Sequence, residues 1–214
     1  MSTLRRAPQE CGSWFWDLCE VAAPELESAL STAERMSRVL ARLQLLTPAG
    51  LEYGWHVLDV GATGMASNLE LTQPWGASSL AERLRGSRPV AFPAAEISSV
   101  HVTGTGTWFD ATGKPRKEPR LIDLSVSPDP TGLSAELSVH HDIWGWYDFS
   151  GRPHPEVHRQ NAPRLAAALK ELIVVLGVSA EPGDPTYFGA ATPEGFATPD
   201  AYDGGFGPDL TGRL

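Results

Sequence analysis

An α+β fold, an antiparallel β-sheet laid out as a meander with helices packed on one face, is what the sequence predicts. Three observations carry that prediction. ISSVHVTGTGTWFD (97–110), RLIDLSVS (120–127) and LSAELSVHHDIWGWYDF (133–149) are rich in strand-forming residues and are separated by the turn clusters ATGKPRKEP and PDPTG. In the middle run Leu121, Asp123, Ser125 and Ser127 alternate with Ile122, Leu124 and Val126, so one face is wet and the other covered. Two further stretches, 26–46 and 165–176, repeat apolar residues at steps of three and four and supply the covering helices.

Taken in order, residues 1–12 read as a flexible N-terminus and 13–177 as a single α+β domain. SWFWDLCEV (13–21) alternates bulky aromatic residues with others, which makes it a strand with Trp14, Trp16 and Leu18 on one face. Leu26, Leu30, Ala33, Met36, Leu40, Leu43 and Leu46 form one helical stripe. Ser31 and Glu34 make a capping box where the well-formed helix is expected to begin, and Thr47, Pro48 and Gly50 end it. GWHVLDV (54–60) is a second strand, followed by a Gly- and Pro-punctuated stretch of ambiguous type to Pro74. SSLAERLRG (78–86) is a short helix. After the meander, Pro163 to Leu176 reads as a helix with Pro163 near its first position and Gly177 just past its last. Residues 178–214 are Gly-, Pro- and Asp-rich and carry six acids against Arg213. This segment is expected to dock in part, through Tyr187, Phe188 and Phe196, and to be loose over its last dozen residues.

Composition narrows the function classes. A formal charge of −9 argues against nucleic acid or an anionic membrane as a partner, because both require a basic footprint. The one basic cluster, Lys114, Arg116, Lys117 and Arg120, falls in a turn and reads as a solvated hairpin loop. MSTLRRAPQE is too polar for a signal peptide and no run of eighteen apolar residues follows, so a cytoplasmic protein with reduced thiols is expected. Of the two cysteines, Cys11 and Cys19, the latter lies in an apolar run and is expected to be a small buried hydrophobe.

Two glycine motifs invite a nucleotide reading. HVLDVGATGMAS (56–67) has a strand followed by Gly-x-x-Gly, but NLELTQPWG after it has no helical stripe to aim amides at a phosphate, so a strand and its turn is the expectation. Gly104 and Gly106 in VTGTGTWF also precede no helix; two glycines at i and i+2 of a strand make room for something packed across them, with Trp108 nearby.

The span 138–161 holds four of the six histidines and two of the seven tryptophans. His140-x-Asp142 resembles the ligand motif of non-haem iron oxygenases, with His158 as the second imidazole, and this trio is the fallback metal set. It departs from that pattern in that His158 follows only sixteen residues on, in a Pro-rich turn, and Pro153 and Pro155 make His154 pre-helical. No G-x-S-x-G, H-E-x-x-H or C-x-x-C is present, and a carboxylate pair such as Asp142 and Asp148 needs a known separation before it means anything. The aromatic content remains. As part of one long strand, Trp144 and Trp146 would share a face opposite Ile143 and Tyr147, and they are either core or a contact surface.

The order of SWFWDL, STAERMSRVLARLQLL, YGWHVLD, a meander, a late helix and PGDPTYFG resembles a family of bacterial polymorphic-toxin immunity proteins. That resemblance implies a non-enzymatic, cytoplasmic inhibitor seated on a cognate toxin, with the acidic surface suited to a basic toxin domain. The expectation is therefore a protein-binding module that needs no cofactor, with Trp144, Trp146, Tyr147 and Asp148 as the partner-binding residues. The rival is a small metal-dependent enzyme, oxygenase-like or hydrolytic, using His140, Asp142 and His158.

Overall fold

The computed structural model describes residues 4–58, 60–71, 75–202 and 204–214; the sequence expectations that touch Asp59 and Pro74 lie outside these. The chain runs β1 (Gly12–Asp17), α1 (Leu26–Arg42), β2 (Thr47–Val57), β3 (Gly61–Glu70), α2 (Ala77–Gly86), β4 (Glu96–Phe109), β5 (Pro115–Pro119), β6 (Asp123–Asp129), β7 (Gly132–Val139) and α3 (Pro155–Leu176). The short β8 (Glu181–Pro182), β9 (Ala191–Thr192) and β10 (Gly195–Phe196) follow. Eight strands form one sheet in the order β3-β2-β4-β6-β7-β1-β8, with β5 paired to β4, and every neighbouring pair is antiparallel. Helices cover one side only: α1 crosses β2, β4, β6 and β7, with α2 and α3 flanking it. This is an α+β fold, an antiparallel sheet with its helices on one face.

Alternation decides which side chains meet the helices. Trp14 and Trp16, Leu124 and Val126, and Leu133, Ala135 and Leu137 are buried on the covered side of the sheet; Phe15, Ser125 and Glu136 emerge on the open face. On the helix, Leu26, Ala29, Leu30, Ala33, Met36 and Leu40 answer them. The expected start at Ser31 is corrected to Leu26, behind a Glu25 that makes no side-chain cap. Burying Leu26 and Leu30 is worth about 2 kcal/mol each, and a missing cap costs about 1, so packing sets the boundary. The expected stop also moves. Gln44 adopts φ 58 and ends the helix, while Leu45 donates back to the Leu40 carbonyl; Thr47, Pro48 and Gly50 then open β2.

The Gly104/Gly106 pair does make room, but for main chain rather than for Trp108. A Cβ on Gly104 would lie 2.2 Å from the Thr47 oxygen, and one on Gly106 2.3 Å from the Leu45 oxygen. The ambiguous stretch after 60 is an edge strand, β3, and no helix follows its glycines directly. The basic hairpin loop contains β5, with Arg116 reaching Asp110 at 3.0 Å. Helix α3 starts eight residues before Pro163, because fully buried Asn161 accepts from the Phe109 amide at 2.9 Å and donates to the Phe109 carbonyl at 2.8 Å. Those bonds hold the first turns against β4 despite the proline that follows. Its other end is as expected, with Gly177 at φ 77 donating to the Ile173 carbonyl.

Both termini are held more firmly than composition suggested. Arg6 bridges to His141, Ala7 donates to the His140 carbonyl, and Ala7 and Cys11 are buried, so residues 6–12 are not a free leader. Cys19 is exposed and Cys11 is the buried cysteine, which reverses the expectation for Cys19; both are free thiols. At the other end Phe196 packs edge-on against Trp14 at 5.7 Å, and Trp14 donates its indole N–H to Thr192. Gly207 and Leu210 donate to the carbonyls of Gly151 and Phe149. Among the described residues no helix is long and apolar enough to cross a membrane.

Candidate functional site

The segment expected to continue the last strand to 149 leaves the sheet at Val139, and this corrects the orientation of every side chain after it. Asp142–Trp144 form a single 3-10 turn, so the two-residue period no longer applies. Trp144 goes into the core with no exposure and its indole N–H unpartnered, while Trp146 and Tyr147 stay half-exposed. Trp144 is thus unavailable to a partner.

The histidines and aspartates of the span point to different places. His140 faces the open side of the sheet, its Nε2 3.3 Å from Asp123. The same carboxylate accepts from Arg6 at 2.7 Å and Arg120 at 2.9 Å. His141, 1% exposed, turns inward with neither ring nitrogen hydrogen-bonded and Glu118 3.9 Å away; burial drives its pKa down to about 4. Asp142 is buried beside it and accepts a long hydrogen bond from the Phe149 amide, 3.4 Å. Burial pushes its pKa up to about 6. His154, the residue before Pro155, donates Nε2–H to the Gly145 carbonyl at 2.9 Å, and His158 packs edge-on against Trp146 at 5.6 Å. The fallback trio is therefore not assembled: His140 looks to Asp123, Asp142 to a backbone amide and His158 to an indole. Among the described residues no three His, Cys, Asp or Glu side chains are grouped to hold a metal ion.

What the span does build is a recess. Asp148 accepts from the Ser150 amide and hydroxyl and from the Arg152 amide through one carboxylate oxygen, which folds 148–152 into a tight turn with Gly151 at φ 75. That turn receives the C-terminal segment. Gly207 passes so close to Tyr147 that a Cβ on it would lie 2.5 Å from the phenol ring, and Phe149 meets Phe188 edge-on at 5.5 Å. Between turn and segment lies a cavity of about 230 Å³, lined by Trp146, Tyr147, Asp148, Phe188, Phe196 and Leu210 among others. At its rim the Arg213 guanidinium sits 4.0 Å over the Tyr187 ring. Three of the four residues expected to contact a partner thus line one recess, and Trp144 lies in the core instead. The C-terminal wall was foreshadowed only by the aromatic residues in YFGAATPEGF.

Compared with known proteins, the chain matches no protein family, no curated protein and no solved structure.

Proposed function

We propose that the protein is a non-enzymatic protein-binding module, of the kind that neutralises a toxin by sitting on it, and that the recess between the 145–149 segment and the C-terminal segment anchors the partner. The observation that carries this reading is the recess itself. Aromatic and proline side chains make up more than half of its lining, and its volume of about 230 Å³ suits one bulky apolar side chain. Such pockets, ringed by tryptophan and tyrosine, are where binding free energy concentrates in protein interfaces. The charge of −9 favours a basic partner by steering its approach.

The test is to purify the protein together with the product of each gene flanking its own and to measure affinity by calorimetry. Trp146→Ala and Tyr147→Ala should each weaken a complex about 30-fold, the cost of a central anchor. Val174→Ala, on the exposed side of α3, should not change it. Absence of a complex with either product, or an unchanged affinity for Trp146→Ala, would overturn the proposal.

A further inference from the structure

Residues directly paired on neighbouring antiparallel strands send their side chains to the same side of a sheet. One such row crosses the open face: Glu52 on β2, His101 on β4, Ser125 on β6, Glu136 on β7, Phe15 on β1 and Glu181 on β8. Phe15 is 40% exposed, although the strand that carries it sends Trp14 and Trp16 into the core on the other side. It contributes nothing to that core, so packing does not explain an aromatic residue at this position. A carboxylate stands in the next position on either side of it, about 4.8 Å away from strand to strand.

Neither Glu136 nor Glu181 forms an ion pair among the described residues. Glu136 is half-buried, and its carboxyl is raised by burial and then by Glu10, the mark of a carboxylate without a counter-charge. Beside it a recess of about 220 Å³ lies between Ser125, Ser138, His101 and His140, closed at its far side by Arg120, whose charge is already paired with Asp123. A phenyl face flanked by two unpaired carboxylates, next to a groove with hydroxyls, is suited to an organic cation with a long aliphatic stem.

We propose that Glu136, Phe15 and Glu181 form a seat for an arginine side chain of a basic protein partner, the guanidinium lying on the Phe15 ring with an N–H edge turned to the carboxylate on each side. Arginine fits better than lysine. Its planar group stacks on the ring and presents donors along two edges at once, whereas an ammonium is a compact, strongly hydrated charge. A second copy of this chain is a poor occupant, because two molecules of charge −9 repel. That the arginine belongs to a protein rests on the binding function proposed above; the chemistry of the seat does not.

The test is an amide-resolved NMR titration of the full chain at low ionic strength. The probes are acetyl-Gly-Arg-Gly-Arg-Gly-amide and its lysine counterpart. Shifts should centre on Phe15, Ser125, Glu136 and Glu181, and the arginine peptide should bind about threefold more tightly than the lysine one. Phe15→Leu should abolish that preference, and Glu136→Gln should weaken both peptides about threefold; Val174→Ala, on the exposed side of α3, should change neither. Because Phe15 and Glu136 lie outside the core, the spectra of both variants report directly on whether the fold is kept. Shifts centred on the acidic C-terminal segment, equal affinity for the two peptides, or an unaltered preference in Phe15→Leu would overturn the seat. Peptide binding on the row without a complex from either flanking gene product would sink the partner reading alone, and the reverse would sink the seat alone.

Discussion

His141 and Asp142 are consecutive, buried and titrate in opposite senses, which sets up a measurable pH effect. The histidine falls from an ordinary 6.5 to about 4 on folding, and the aspartate rises from 3.8 to about 6. Each group is more than nine-tenths inaccessible, so surface screening takes little from either shift. A pKa unit is worth about 1.4 kcal/mol, which makes each shift worth about 3 kcal/mol. His141 is depressed, so the stability tied to its neutral form is full above pH 6.5 and is lost as the pH falls toward 4. Asp142 is raised, so its ionisation destabilises the fold above pH 6, and that cost is relieved as the pH falls toward 3.8. Between pH 4 and 6 the unfolded chain holds a proton on His141 and the folded chain holds one on Asp142. Their contributions to the slope cancel. Arg6, His140 and Asp123 act on His141, Glu118 lies 3.9 Å from it, and Asp148 acts on Asp142; all of these are common to wild type and variants and drop out of the comparison. Asp142→Asn should therefore lose about 3 kcal/mol relative to wild type between pH 6.5 and 4, and His141→Gln should gain a similar amount. The double variant should run parallel to wild type. Urea unfolding at four pH values, read as midpoint and slope, measures this. Parallel curves for Asp142→Asn and wild type would refute the assignment of opposed burial effects to this pair.

Two further outcomes follow from packing. Asn161→Leu strands the amide and carbonyl of Phe109, and should cost about 3 kcal/mol in denaturant unfolding, with the loss of protection in hydrogen exchange centred on residues 155–163. Gly106→Ala forces a methyl to within 2.3 Å of the Leu45 oxygen and should cost at least about 2 kcal/mol. Gly86→Ala, in α2 with nothing within 4 Å, should leave stability unchanged or raise it by about 0.5 kcal/mol in the same assay.

How far the sequence was legible depends on how local the signal is. Alternation in 123–129 placed Leu124 and Val126 on the covered face correctly, because a two-residue period is a property of the strand itself. The same rule carried past Val139 failed. No glycine or proline interrupts His140 to Trp144, yet the chain turns at Asp142–Trp144 and is then held by the Asp148 turn and the docked Gly207, and neither of those is visible near 140. Pro163 misled for a related reason. A proline at a helix start is a local rule, whereas the bonds from Asn161 to Phe109 span 52 residues. The recess needs two segments some forty residues apart, so only its aromatic halves could be seen. The Phe15 row was in principle legible: once Trp14 and Trp16 are assigned to the core, parity alone sends Phe15 to the open face.

One segment links both proposed contact regions. Glu181 joins the row through the pairing of β8 with β1, and four residues later Pro185 begins the wall of the recess, which Pro208 and Leu210 complete. The near part of this segment also guards the core, since Trp14 depends on Thr192 and Phe196; the far part instead packs on Tyr147, Phe149, Gly151 and Tyr187 at the molecule's edge. Removing residues 198–214 should therefore leave the sheet and its helices folded at a cost of about 2 kcal/mol, the burial of roughly one large apolar side chain. It should open the recess and weaken a partner complex by the same order as Trp146→Ala, yet leave the arginine peptide bound at Phe15 with unchanged affinity. Calorimetry with the two ligands on the truncated chain separates these outcomes. A truncation that lost the peptide as well would mean that the row depends on the distal tail, and that the two regions are one site.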